Sequence, residues 1–124
     1  MRLTLFALCE QAFFDHKHQL HVSSVIDHVT AAELPTALRH VAVALGFHDV
    51  NDEAVLPILL KITDSHGHAS TLRRDLPVQP SASQTVYAIL QIPELVLSYP
   101  GEYTLQVIGR DGEMGKLKLV VISQ

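Results

Sequence analysis

The chain has 124 residues and a mass of 13.7 kDa, enough for one domain and too few for two ordinary ones. Apolar residues make up 48% and charged residues only 18%, where about 25% is usual; with a mean hydropathy of +0.22 this excludes intrinsic disorder. The net charge is −4, and the densest basic run, Arg73-Arg74, is followed directly by Asp75, so nucleic acid is not expected as a partner.

In chain order, residues 3–9 superficially resemble a lipoprotein signal ending at Cys9. The residue before the cysteine is Leu8 rather than a small one, and the basic region is Arg2 alone, so a first β-strand is expected instead. Leu3, Leu5, Ala7 and Cys9 alternate along it and would share one face. Cys9 is the single cysteine, which rules out an internal disulfide and reads as a small core residue. No run approaches the ~18 apolar residues of a membrane span, so no membrane partner is expected and a cytoplasmic location is the default. Phe13-Phe14 falls between strands, either tucked over an end of the fold or offered to a partner.

Leu20, Val22, Ser24 and Ile26 alternate as a second strand. Thr30-Ala31-Ala32-Glu33-Leu34 has the spacing of a capping box and predicts one helical turn, cut off by Pro35. Val41, Val43, Leu45 and Phe47 alternate with His40, Ala42, Ala44 and Gly46 as a further strand. Asn51, Asp52 and Glu53 lack calcium-loop spacing and read as a solvated turn. Leu56, Ile58, Leu60 and Ile62 share a face opposite Lys61 and Thr63, and Asp64-Ser65-His66-Gly67 turns the chain into the next strand. Arg73-Arg74 reads as an edge guarded by charge. Residues 77–83 are rich in Pro and Ser and read as a crossing between sheets.

Residues 85–92 read Thr-Val-Tyr-Ala-Ile-Leu-Gln-Ile, apolar on both faces. Such a strand is either central and covered twice, or exposed at a subunit contact. After Pro93, residues 94–98 predict a short helical turn. Leu105 and Val107 continue the period of Tyr103; Asp111-Gly112 marks a hairpin, and Leu117, Leu119 and Val121 alternate in its last strand.

Leu95, Tyr99, Gly101, Tyr103 and Leu105 match the spacing of the corner before strand F in immunoglobulin-like sandwiches. There the hydroxyl of the corner tyrosine, Tyr103, bonds back to upstream backbone while Pro100-Gly101 makes the turn. Leu105 stands where antibody domains place a cysteine, and the chain has no Trp, so the architecture is expected without the antibody ancestry. The expected fold is therefore all-β: one antiparallel immunoglobulin-like β-sandwich of about seven to nine strands over residues 1–124.

The start Leu5-Phe6-Ala7-Leu8-Cys9-Glu10, then Pro35, the Asp64-x-x-Gly67 hairpin, Pro100-Gly101-Glu102-Tyr103 and Asp111-Gly112-x-x-Gly115 together resemble a family of small uncharacterised bacterial proteins known as domains of unknown function. The resemblance spans nearly the whole chain. It implies a bacterial β-sandwich and brings no catalytic residues with it.

Eight histidines are several times the usual number for this length. A His-x-His spacing puts both rings on one face of a strand. His16 and His18 with Asp15, and nearby His21, or His66 and His68 with Asp64, offer nitrogen and oxygen donors to zinc, nickel or copper. The alternative is that both pairs are solvated loop residues, since no third ligand completes either set. The Glu that follows His-x-His in cupins is missing here. Protonating all eight would swing the net charge from −4 to about +4, so histidines at a subunit contact would make assembly pH-dependent. No G-x-S-x-G elbow and no Gly-rich phosphate loop occurs, so no cofactor is expected. Three readings follow: a non-enzymatic module binding a protein partner or forming a homo-oligomer, a metal-binding protein or metal-dependent enzyme, and a small-ligand carrier with a cavity between the sheets. The apolar excess favours the first, with one sheet face or edge covered by another chain.

Overall fold

A computed structural model of the chain describes residues 1–50, 55–77 and 85–124. Among these, the elements are β1 (Arg2–Phe14), β2 (Leu20–Val25), β3 (His28–Ala31), β4 (Thr36–His48), β5 (Val55–Thr63), β6 (Ala69–Pro77), β7 (Thr85–Leu97), β8 (Gly101–Gly109) and β9 (Gly112–Ser123). Two sheets result. One has four strands in the order β2-β1-β4-β7; the other has five, β3-β9-β8-β5-β6. Every pairing is antiparallel except β3 with β9. One sheet is curled into a half-barrel. Residues 51–53 and most of the Pro/Ser-rich crossing lie outside the described residues. The chain does change sheets between β6 and β7.

Period-two alternation builds the core. Val43, Leu45, Phe47, Ala88 and Leu90 of the four-stranded sheet meet Ile58, Leu60, Leu105, Val107 and Leu119 of the other. Each fully buried Leu, Ile, Val or Phe contributes about 1.5–3 kcal/mol of transfer free energy, so this layer dominates stability. No polar side chain is buried among the described residues.

Three expectations are corrected. Leu3, Leu5, Ala7 and Cys9 do not share a face. The ladder with β4 shifts between Leu3 and Leu5, and the extra residue reverses the alternation. Leu3, Phe6 and Leu8 therefore pack on the main core, while Leu5 and Cys9 join a second cluster. Thr30 and Ala31 form no helical turn; they lie in β3, opposite Ile122 and Ser123, because a parallel ladder outweighs a single turn of helix. Residues 94–97 continue β7 rather than turning. Pro93 falls opposite His40, whose φ of 57° interrupts the ladder, and pairing resumes at Arg39 with Glu94. β7 is an edge strand, where proline is tolerated.

The two outer faces differ. Across the four-stranded sheet run the rows Leu5–Gly46–Tyr87, Ala7–Ala44–Ile89 and Cys9–Ala42–Gln91. Ala42, Ala44 and Cys9 are buried, sealed with Leu5, Leu20 and Ile89 into the second cluster. Space is tight at Gly46: a Cβ there would stand 3.0 Å from the Leu5 Cβ and 3.1 Å from the Tyr87 ring, so these side chains would have to give way slightly. On the five-stranded sheet the outward residues are mixed: Lys61, Thr104, Gln106, Lys116 and Lys118, with Lys118 paired to Glu102 at 3.1 Å, alternate with Leu59, Ile108, Val120 and Ile122, the last two exposed.

Candidate functional site

The histidine pairs stand in two turns of one design. In the β1–β2 turn, Asp15 Oδ1 accepts the amides of Lys17 at 2.8 Å and Gln19 at 3.0 Å. In the β5–β6 turn, Asp64 Oδ1 accepts the amides of His66 and His68, both at 2.9 Å. In each, the fourth residue donates its amide to the aspartate carbonyl and has positive φ: 60° at His18 and 85° at Gly67. An aspartate folding its own backbone in this way is a local preference of the residue.

Each aspartate also meets a histidine ring. His21 Nε2 lies 2.7 Å from Asp15 Oδ2, and its ring stacks on Phe13 with centroids 4.9 Å apart. The His21 hydrogen bond, then the amide of Gln19, holds the Asp15 carboxyl below the usual carboxylate range. His68 Nδ1 lies 3.3 Å from Asp64 Oδ2. Desolvation works to raise Asp64, but the amides of His68 and His66 together with the His68 ring outweigh it and lower the carboxyl.

The Asp64 turn docks on the corner between β7 and β8. His66 stacks on Tyr99 with centroids 3.9 Å apart, and the Ser65 hydroxyl donates to the Pro100 carbonyl at 2.7 Å. Gly101 has φ 120°, and a Cβ there would stand 2.7 Å from Ser65 Cβ, so the approach requires glycine. The Tyr103 hydroxyl donates to the Tyr99 carbonyl at 2.9 Å and accepts the Tyr99 amide at 3.0 Å. One buried ring thus satisfies both backbone groups of a residue at the point where the chain changes sheets.

His16, His18, His21, His66 and His68 are all exposed. Among the described residues, no group of three or more His, Cys, Asp or Glu is placed to hold a metal ion. The structure brings His66 and His68 together with Tyr99 and Asp64, and His21 with Asp15 and Phe13; neither set supplies a third nitrogen or sulfur donor. Phe13 is 45% exposed, covered on one side by the His21 ring. Cys9 is fully buried; burial pushes its thiol up, against a smaller opposing effect of the Gln11 backbone. Surface depressions of about 300 and 330 Å³ lie around Met1, Arg110 and Asp111, by the β8–β9 turn. No helix among the described residues is long and apolar enough to cross a membrane.

The feature that pattern reading missed is the outer face of the four-stranded sheet. Its signal was present in Ala42, Ala44 and Gly46, small residues alternating with the core positions of β4. Small side chains carry little hydrophobic weight singly, and only the cross-strand register unites them with Leu5, Tyr87 and Ile89.

Fold and surface together define a two-sheet all-β domain in which Asp15 and Asp64 each fold a turn and meet a histidine ring. The chain belongs to the family of unknown function DUF6941, whose model matches residues 4–122. No curated protein matches it. Among solved structures it is similar to Pseudomonas fluorescens alkylpurine DNA glycosylase AlkC bound to DNA containing an abasic site analog. The identity is 11% and the TM-score 0.51, over 98% of this chain and 30% of that one. The chain thus spans less than a third of that protein, and at this identity the likeness concerns the fold alone.

Proposed function

We propose that the chain is a non-enzymatic interaction module, an immunoglobulin-like sandwich that binds a protein partner or itself through the outer face of its four-stranded sheet. The observation that carries this reading is a pair of apolar rows on that face, in which half-buried Leu5, Ala7, Tyr87 and Ile89 lie over Gly46 and Ala44, beside the Arg2–His48–Thr85 row. Contiguous apolar surface on a soluble domain marks interaction sites.

The immunoglobulin-like description is supported by connectivity. Strands β1, β4 and β7 are neighbours in one sheet and β9, β8 and β5 in the other, as strands A, B, E and G, F, C are in that architecture. Tyr103 stands near the start of β8, the strand placed as F, with its hydroxyl on upstream backbone. A free, buried cysteine is compatible with a reducing compartment, which supports a cytoplasmic location.

Site-specific photo-crosslinking in cells tests the module. A benzophenone residue replacing Tyr87 is expected to give a discrete adduct, while the same residue at Thr104 on the opposite sheet gives none. Equal adducts at both positions, or none at either, would overturn the reading.

A further inference from the structure

Among the described residues, the two sheets expose four edges: β2 and β7 on one, β3 and β6 on the other. Proteins keep such edges from pairing with other chains by shortness, charge, proline or local bends. β3 has only four residues. β6 carries Arg73, Arg74, Asp75 and Pro77. β2 is bent at Ser24, with φ 59°. The last third of β7 carries Pro93 and Glu94. Residues 85–92 of β7 have none of these devices: eight consecutive positions without charge or proline, on a strand whose ladder among the described residues is with β4.

We propose that residues 85–91 pair antiparallel with the same residues of a second copy, joining two four-stranded sheets into one of eight. This rests on the interaction-module reading and names its partner. Across a two-fold axis each residue near the axis faces itself or a close neighbour, so any charge there would meet its own sign. This stretch has none. With Ala88 at the axis, Tyr87 of each copy lies opposite Ile89 of the other on the outer face, an aromatic with a β-branched residue, a favourable cross-strand pair. Val86 lies opposite Leu90 on the core side. The rows Leu5–Gly46–Tyr87 and Ala7–Ala44–Ile89 then continue from one copy into the other, doubling one apolar face. Centred on Ala88 the self-pairing covers at most residues 85–91, about 24 Å of shared edge, and Pro93 and Glu94 lie just beyond it. Backbone groups within residues 86–90 that point away from β4 gain partners, as in strand addition generally.

Sedimentation across micromolar to millimolar concentration, combined with hydrogen exchange, tests this on the full chain. The expected result is a mass that doubles from 13.7 kDa, with concentration-dependent protection of alternate amides within residues 85–92. Gln91→Lys, a charge placed on an exposed position of that edge, is expected to weaken the dimer roughly tenfold. A monomer at every concentration would overturn the inference, and crosslinks at position 87 would still uphold the module reading with another partner. A dimer in which residues 85–92 stay unprotected would overturn edge pairing while leaving a face contact.

Discussion

The two outer faces of this two-sheet domain are made by the same backbone pattern and carry different chemistry. On the five-stranded sheet, the outward positions of β8 and β9 mix Thr104, Gln106, Lys116 and Lys118 with Ile108, Val120 and Ile122. On the four-stranded sheet, the outward positions of β1 and β4 are Leu5, Ala7, Cys9, Ala42, Ala44 and Gly46, which seal a second apolar cluster. A sheet needs only one apolar face to close a two-layer fold. The second apolar cluster goes beyond what that closure requires, and it is the feature on which the proposed interaction module rests.

Charge substitution breaks the comparison most directly. Ala44→Asp would place an unpaired carboxylate in the second cluster, at a residue with no exposure, and is expected to cost about 3 kcal/mol or more. Thr104→Asp stands beside Lys118 on the other sheet and is expected to change stability by no more than about 0.5 kcal/mol. Urea unfolding of both variants checks the pair; similar losses would show that the two faces are energetically alike.

A smaller effect is expected where the two sheets are tied together. Tyr103→Phe removes the hydroxyl that satisfies both backbone groups of Tyr99 and is expected to cost about 1–2 kcal/mol, with the ring's burial kept. An unchanged midpoint in thermal or urea unfolding would mean that water replaces the hydroxyl at this corner.

The smallest effect separates the faces by acid. Asp15 and Asp64 have carboxyls lowered in the folded state, so the unfolded chain binds protons first as pH falls. Their contribution is complete above the ordinary carboxylate range and is lost as pH drops through the lowered folded values. Asp64→Ala is expected to flatten the acid limb of stability against pH, whereas Leu5→Ala, in the second apolar cluster, would lower the whole curve without changing its slope. A D64A profile parallel to that of the unaltered chain would remove the turn carboxylate from the account.

Much of the architecture was legible from local pattern. The alternation of Leu56, Ile58, Leu60 and Ile62, the Asp64 and Asp111-Gly112 turns and the spacing around Tyr103 each depend on neighbours a few residues away. Where reading failed, a distant partner decided. The bulge after Leu3 exists in register with β4, and residues 30–31 are strand only because β9 lies alongside. The candidate metal ligands were legible as residue types but not as a site. Spacing can put two imidazoles on one strand face, while a third donor must come from elsewhere in the fold.

Composition and periodicity alone specified an all-β chain with more apolar surface than one core needs, because both follow from residue type and period-two geometry. Where that surplus lies was decided only by strand order. Residues 85–92 read as either central or at a subunit contact, and their place at the edge of the four-stranded sheet follows from long-range pairing with β4 alone. Strand order is set by the burial shared between segments far apart in the chain, a quantity that no local window of sequence contains.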